Sequence, residues 1–180
     1  MAEARSSGPL QDGARVVILG GGPGGVACAL TLQRASLETG RSLSVTIVEG
    51  KEFVGERHHN QCVGVLSPPL KTVLEQELGI PFPGHLVRAE IEEYVLHAWH
   101  ASVALRGEGV TSSAVRRVLF DNYMIEQARE RGVVVVTARA EDVEFHGGGV
   151  VVYSEAGPME ADVVVGAFGM DPGGAAIFQR

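Results

Sequence analysis

The sequence predicts an α/β fold: a parallel sheet, a three-strand antiparallel meander crossing over it, and a second antiparallel sheet inserted partway along the chain. Three observations carry this expectation. Between Arg15 and Glu49, a short apolar run, a cluster of glycines, an Ala/Leu-rich stretch of helical rhythm and a second apolar run follow in order. Residues 86–105 then switch to partial alternation of apolar and polar side chains, the period of a strand with one covered face. After the valines at 133–136, three short strand-like segments follow, broken by glycines and turns.

The elements are justified one by one. Arg15 to Gly20 is β-branched and ends in glycine, as a buried parallel strand does. Gly24 to about Thr39 reads as a helix and Leu43 to Glu49 as the second strand, so that the three form a β-α-β unit. Lys51 to Val65 is polar and reads as a loop; Ser67 before Pro68 and Pro69 is placed to cap a helix running to Leu78. Leu86 to Leu105 predicts two antiparallel strands covered on one face. Ala114 to Arg131 returns to a helical period, with Val115, Val118, Leu119, Tyr123 and Ile125 near one side and Gly132 ending it. Val133 to Val136 predicts a buried strand. Ala140 to Phe145 and Val150 to Ser154 flank a glycine-rich hairpin turn, and Glu160 to Gly166 forms the last strand.

Composition narrows the function classes. The 180 residues are 45% hydrophobic, enough for a folded core. A net charge of −7 argues against a nucleic-acid surface, which needs clustered Lys and Arg. No apolar run has the length of a membrane span. Two cysteines, Cys28 and Cys62, make no disulfide framework, and Met1 to Gly13 is polar and reads as a disordered leader, so a reducing cytoplasm is the expected setting.

The glycines have the spacing Gly20-x-Gly22-x-x-Gly25, directly after a strand and opening a helix. Gly20 permits a sharp turn, Gly22 leaves main chain bare where a pyrophosphate approaches, and Gly25 lets the helix pack close to the strand. The helix N-terminus offers N–H groups and partial positive charge to the phosphates. Glu49, ending the second strand, suits ribose hydroxyls and would repel a 2′-phosphate. The alternative is a glycine-rich structural turn with a coincidental acid. An NAD dehydrogenase would continue with alternating strands and helices; the inserted sheet and the meander favour a flavin-binding plan instead.

At these positions the chain resembles the FAD-dependent oxidoreductases of the p-hydroxybenzoate hydroxylase class, more narrowly its geranylgeranyl reductase-like branch. The likeness runs through VVILGGGPGG, VTIVEG, NQCVGVLSPPL, VRRVLFDNYMIEQARERGVVVV and ADVVVGAFGMD, from about Arg15 to Asp171. The resemblance implies a Rossmann-like FAD-binding domain over 14–180, with 84–108 as part of an inserted antiparallel substrate sheet. It implies that Gly20, Gly22, Gly25 and Glu49, with Pro23, Gly24 and Gly50 beside them, hold the ADP half of FAD. Arg117 and Arg57 correspond to basic residues near the cofactor, and Ala140 would line the adenine pocket through its backbone. Two features depart from the family. Phe168 stands after Ala167 where the late motif commonly has Asp, moving a hydroxyl contact, with Asp171 as the candidate to take it over. Members of the class are also about twice as long, so the chain is expected to lack the family's C-terminal half.

Other residues are weaker candidates. The resemblance places Cys62 near flavin and substrate, with a redox or gating role set against plain packing in a tight loop; Cys28 is expected to pack on the first helix. His58 and His59 lack spaced partners for a metal. His97 and His100 either line a substrate cavity or lie on a strand surface, and Glu92 and Glu93 fall on opposite faces of a strand rather than forming an acid–base couple. The expected function is FAD-dependent oxidoreduction, by a reductase or a monooxygenase-like enzyme, with NAD(P)H as electron donor and a small-molecule or lipid-like substrate. A catalytically silent FAD- or nucleotide-binding fragment, and an NAD-dependent dehydrogenase, stand as alternatives.

Overall fold

The apolar runs on either side of the glycine cluster become neighbouring parallel strands. The structure, a computed structural model, describes residues 10–53, 62–106 and 111–178. Two compact units emerge, one built from residues 1–52 and 124–180, the other from 53–123.

In the first unit, β1 (Arg15–Leu19), α1 (Pro23–Thr39) and β2 (Ser44–Glu49) form the expected β-α-β unit. β1 and β2 pair in parallel from Arg15↔Ser44 to Leu19↔Val48. Later in the chain come β8 (Val134–Thr137), the meander β9 (Ala140–His146), β10 (Gly149–Ser154) and β11 (Gly157–Ala161), and then β12 (Val163–Gly166). The parallel sheet has the order β12-β1-β2-β8 and the meander the order β11-β10-β9. Side chains alternate across the sheet. Val17, Leu19 and Val48 face a core shared with Val143, Val150 and Val152 of the meander, whereas Val16, Ile18 and Ile47, equally buried, lie on the opposite face, where α1 packs with Val26, Ala29 and Leu30.

Three expectations for this unit change. The valine run is an edge strand rather than a buried one, because among the described residues nothing pairs beyond β8 in the sheet order, and Val134 is 55% exposed. The run from Glu160 is divided: Glu160 and Ala161 finish the meander, and the chain then turns at Asp162, whose carboxylate accepts the Arg15 N–H at 2.7 Å, before β12 joins β1. A short helix after β12, α4 (Pro172–Ile177), was not foreseen; the Asp171 side chain caps it by accepting the Gly173 N–H at 2.9 Å.

The second unit holds β3 (Val65–Leu66), α2 (Leu70–Thr72), β4 (Val87–Ile91), β5 (Glu93–His97), β6 (Ser102–Arg106), β7 (Ser112–Val115) and the start of α3 (Arg117–Glu130). α2 does not begin at Ser67. Ser67 and Pro68 each precede a proline, which disfavours helical backbone there, so the helix starts at Leu70 and passes into a wider turn over Val73–Glu77. Ser67 instead accepts a hydrogen bond from the Ser112 hydroxyl at 3.0 Å. α3 starts at Arg117, because Ala114 and Val115 are taken by β7, which pairs with β3 and β4. Leu119, expected on the buried side, is 36% exposed, while Phe120 and Asp121 are buried.

The stretch 86–105 yields three strands rather than two. β4 joins β3 and β7, and among the described residues β5 pairs only with β6. The alternation is real, since Tyr94↔Leu105 and Leu96↔Val103 share one face and Glu93↔Arg106 the other. That apolar face is open rather than covered: its four side chains are 44–60% exposed. Glu92 lies between β4 and β5, and Glu93 makes an ion pair with Arg106, so neither belongs to a strand-borne couple. No helix among the described residues is long and apolar enough to cross a membrane.

Candidate functional site

The site is built at the C-terminal edge of the parallel sheet, where open α/β sheets bind ligands. β1 ends at Leu19, and Gly20 turns the chain with φ 115°, a conformation that glycine adopts without strain. The turn is tied down on both sides. The Gly20 N–H donates to the Val48 carbonyl at 2.8 Å, and the Ala167 N–H to the Leu19 carbonyl at 2.8 Å.

The glycines differ in what they make room for. A Cβ on Gly25 would stand 1.9 Å from the Gly20 carbonyl oxygen, so the bare α-carbon there allows helix and turn to touch. A Cβ on Gly22 or Gly24 would meet nothing within 4 Å. Main chain is therefore exposed at the mouth of α1, with open space in front of it. Gly22 occupies the cap position with no side-chain partner, Pro23 opens the helix, and the first turn holds no acid. The helical ladder starts with the Val26 N–H donating to the Gly22 carbonyl at 3.0 Å, leaving the amides of Gly24 and Gly25 ahead of it.

Glu49 turns toward this corner. One carboxylate oxygen accepts the Gly21 N–H at 2.7 Å and the other the Lys51 N–H at 2.7 Å. A carboxylate has about four lone-pair directions, so two acceptor sites remain for a sugar diol. Its main chain is held as well, since the Ala138 N–H donates to the Glu49 carbonyl at 3.1 Å. Gly50 lets the next strand connection come close, with the Arg139 Cα 3.2 Å from where a Cβ would be.

A cavity of about 300 Å³ runs along this edge, with Gly20, Glu49, Gly50, Lys51, Arg139, Ala140, Phe168 and Asp171 among its lining residues. The structure thus brings together Gly20, Glu49, Gly50 and Ala140 from the sequence-derived set. Lys51, Arg139 and Phe168 line the same space without having been singled out as cofactor contacts, and Gly21 supplies an amide to Glu49. For Gly21 the signal was the unbroken glycine run 20–22: a Cβ there would meet the Glu49 side chain at 2.9 Å, so the middle glycine of the run serves the acid. Asp171, the candidate for a displaced hydroxyl contact, caps α4.

Arg117 lies in the second unit. Its guanidinium donates to the Asp121 carboxylate at 2.6 and 3.1 Å, and Asp121 is 1% exposed. Arg117 also bonds Cys62, and the Gly64 N–H donates to the Cys62 sulfur at 3.5 Å. The Gly64 amide first, and Arg117 after it, hold the Cys62 thiol below its ordinary range, while burial pushes the Cys28 thiol up. Arg57, His58 and His59 lie outside the described residues. Among the described residues no group of three His, Cys, Asp or Glu could hold a metal.

No protein-family model matches the chain, and no curated protein matches it. Solved structures do. The flavin-dependent brominase Bmp2 superposes with a TM-score of 0.66 at 22% identity, over 87% of this chain and 38% of its own. A geranylgeranyl bacteriochlorophyll reductase-like protein from Thermoplasma acidophilum gives 0.65 at 19% identity, over 88% and 40%. The halogenase PltM, in complex with phloroglucinol and FAD, gives 0.64 at 20%, over 86% and 34%. The chain spans a third to two-fifths of the length of these structures. Its fold is the Rossmann-like α/β fold of these structures.

Proposed function

We propose that this chain is the dinucleotide-binding part of a flavin-dependent oxidoreductase and binds FAD noncovalently by its ADP half. The observation that carries the reading is the line of Ala140, Glu49 and the glycine turn along one sheet edge, with open space before Gly22 and spare acceptor capacity on Glu49. Ala140 backs the adenine, Glu49 accepts from the ribose hydroxyls, and the amides at the start of α1 face the diphosphate. Pro23, Gly24 and Gly25 shape that N-terminus, and Arg57 and Arg117 are proposed as cofactor neighbours on resemblance alone. Bound FAD supplies hydride or electron transfer; the residues of this chain bind and orient it. NAD(P)H is the proposed donor and a small or lipid-like molecule the proposed substrate, with reduction and monooxygenation both compatible.

A nucleotide-binding module without turnover is a second reading of the same site geometry. Gly22→Val tests the common ground of both. The variant should fold like the parent, since the new side chain enters open space, and should lose FAD binding in equilibrium dialysis. Unchanged binding would place the phosphates elsewhere. FAD binding without NAD(P)H oxidation by the parent would favour the silent module.

A further inference from the structure

The strand order β12-β1-β2-β8 sets the ends of four strands side by side. Ala140 follows β8, Glu49 ends β2, Gly20 follows β1, and Phe168 follows β12. A nucleotide with its base at Ala140, its sugar at Glu49 and its diphosphate at the glycine turn is therefore aimed at Phe168. The contact is close: the Phe168 amide nitrogen lies 3.0 Å from where a Gly20 Cβ would stand.

Phe168 is held in place there. Its ring atoms come within 2.7 Å of a Cβ position on Gly166 and 2.4 Å of one on Gly174, so both glycines are needed to seat it. The Phe178 ring packs beside it at a centroid distance of 5.7 Å. Beyond the diphosphate, a dinucleotide carries a second sugar or sugar alcohol, rich in hydroxyls. A phenyl ring offers these no hydrogen-bond donor or acceptor, and the Asp171 carboxylate that lines the same cavity is engaged as the cap of α4, accepting the Gly173 N–H at 2.9 Å; covering a hydroxyl without a partner is unfavourable. The cavity, at about 300 Å³, also stands at the small end of ligand sites.

We infer that nucleotide recognition by this chain stops at the diphosphate: Phe168 is a specificity-determining residue, and the ADP half alone sets the affinity. The inference rests on the adenine-nucleotide reading of the same site. ADP, NAD and FAD then bind alike, and FMN, which lacks the ADP half, does not bind.

Equilibrium dialysis of the full chain against ADP, NAD, FAD and FMN is the test. The three adenine nucleotides should give Kd values within about threefold of one another, with no retention of FMN. FAD binding more than about threefold tighter than ADP, or retention of FMN, would overturn the inference and leave the cofactor reading standing. Failure of ADP, NAD and FAD alike would remove the reading itself. Phe168→Asn supplies both a donor and an acceptor; with its circular dichroism unchanged, it should favour FAD and NAD over ADP by about tenfold, the equivalent of about one added hydrogen bond. An unaltered ratio in that folded variant would show that Phe168 does not set the limit.

Discussion

Single residues separate roles that the sequence leaves merged. Arg117 and Cys62 were read as cofactor neighbours through resemblance, and the structure shows what each does locally. Arg117 satisfies a carboxylate that is almost fully buried. Arg117→Met would leave Asp121 without that partner, and urea denaturation should report a loss of about 3–5 kcal/mol, the range for breaking a buried pair. Cys62 is exposed, and its thiol is held below the ordinary range by the Gly64 amide and Arg117. A lowered pKa means more thiolate at a given pH. In a Cys28→Ser chain, iodoacetamide labelling should therefore reach half-maximal rate below about pH 8.5, the ordinary thiol midpoint; a midpoint at or above it would contradict the local geometry. Two of these contacts are local in sequence, Gly64 lying two residues from Cys62 and Asp121 four from Arg117; only the meeting of Arg117 with Cys62 depends on the pairing of β3 with β7.

At the scale of elements, the β-α-β unit was legible and the second unit was not. Alternation of β-branched residues and the Ala/Leu period decide β1, α1 and β2 locally. For β4, β5 and β6 the alternation was equally visible, but partner choice is a tertiary matter, and a single residue, Glu92, divides what looked like one strand. Prolines 68 and 69 carry two opposite signals, a favoured first helical turn and a disfavoured residue before each ring, and the second prevailed. The glycines of α1 give the sharpest prediction for an element. Gly24→Ala adds a methyl in open space and should change thermal stability by no more than about 1 kcal/mol, on the stabilising side. Gly25→Ala drives a Cβ into the Gly20 carbonyl and should cost more than the about 1–3 kcal/mol usual for overpacking, because the struck atom is backbone. Equal melting temperatures for the two variants would mean that helix and turn do not touch.

For the whole molecule, the two units make a spatial prediction. The residues lining the candidate cavity all belong to the first. Hydrogen exchange with ADP present should slow at residues 20–26, 49–51 and 138–141 and remain unaltered across 87–106; protection confined to 87–106 would contradict this siting. The acid and glycine turn of the candidate site were readable because strand, turn and helix are neighbours in sequence. Phe168 and Arg139 were missed as lining residues because only the strand order brings them to the edge that Glu49 occupies, whereas Lys51 lies two residues from Glu49 and was passed over as loop. That same order has a consequence for biosynthesis. β1 lies between β2 and β12, and Arg15 meets Asp162 across 147 residues. At about 5–20 residues per second on the ribosome, the nascent chain carries one apolar flank of β1 unpaired for about 7–30 s. Chaperones that hold extended apolar segments have that interval in which to engage it, and the sheet closes only once β12 has emerged.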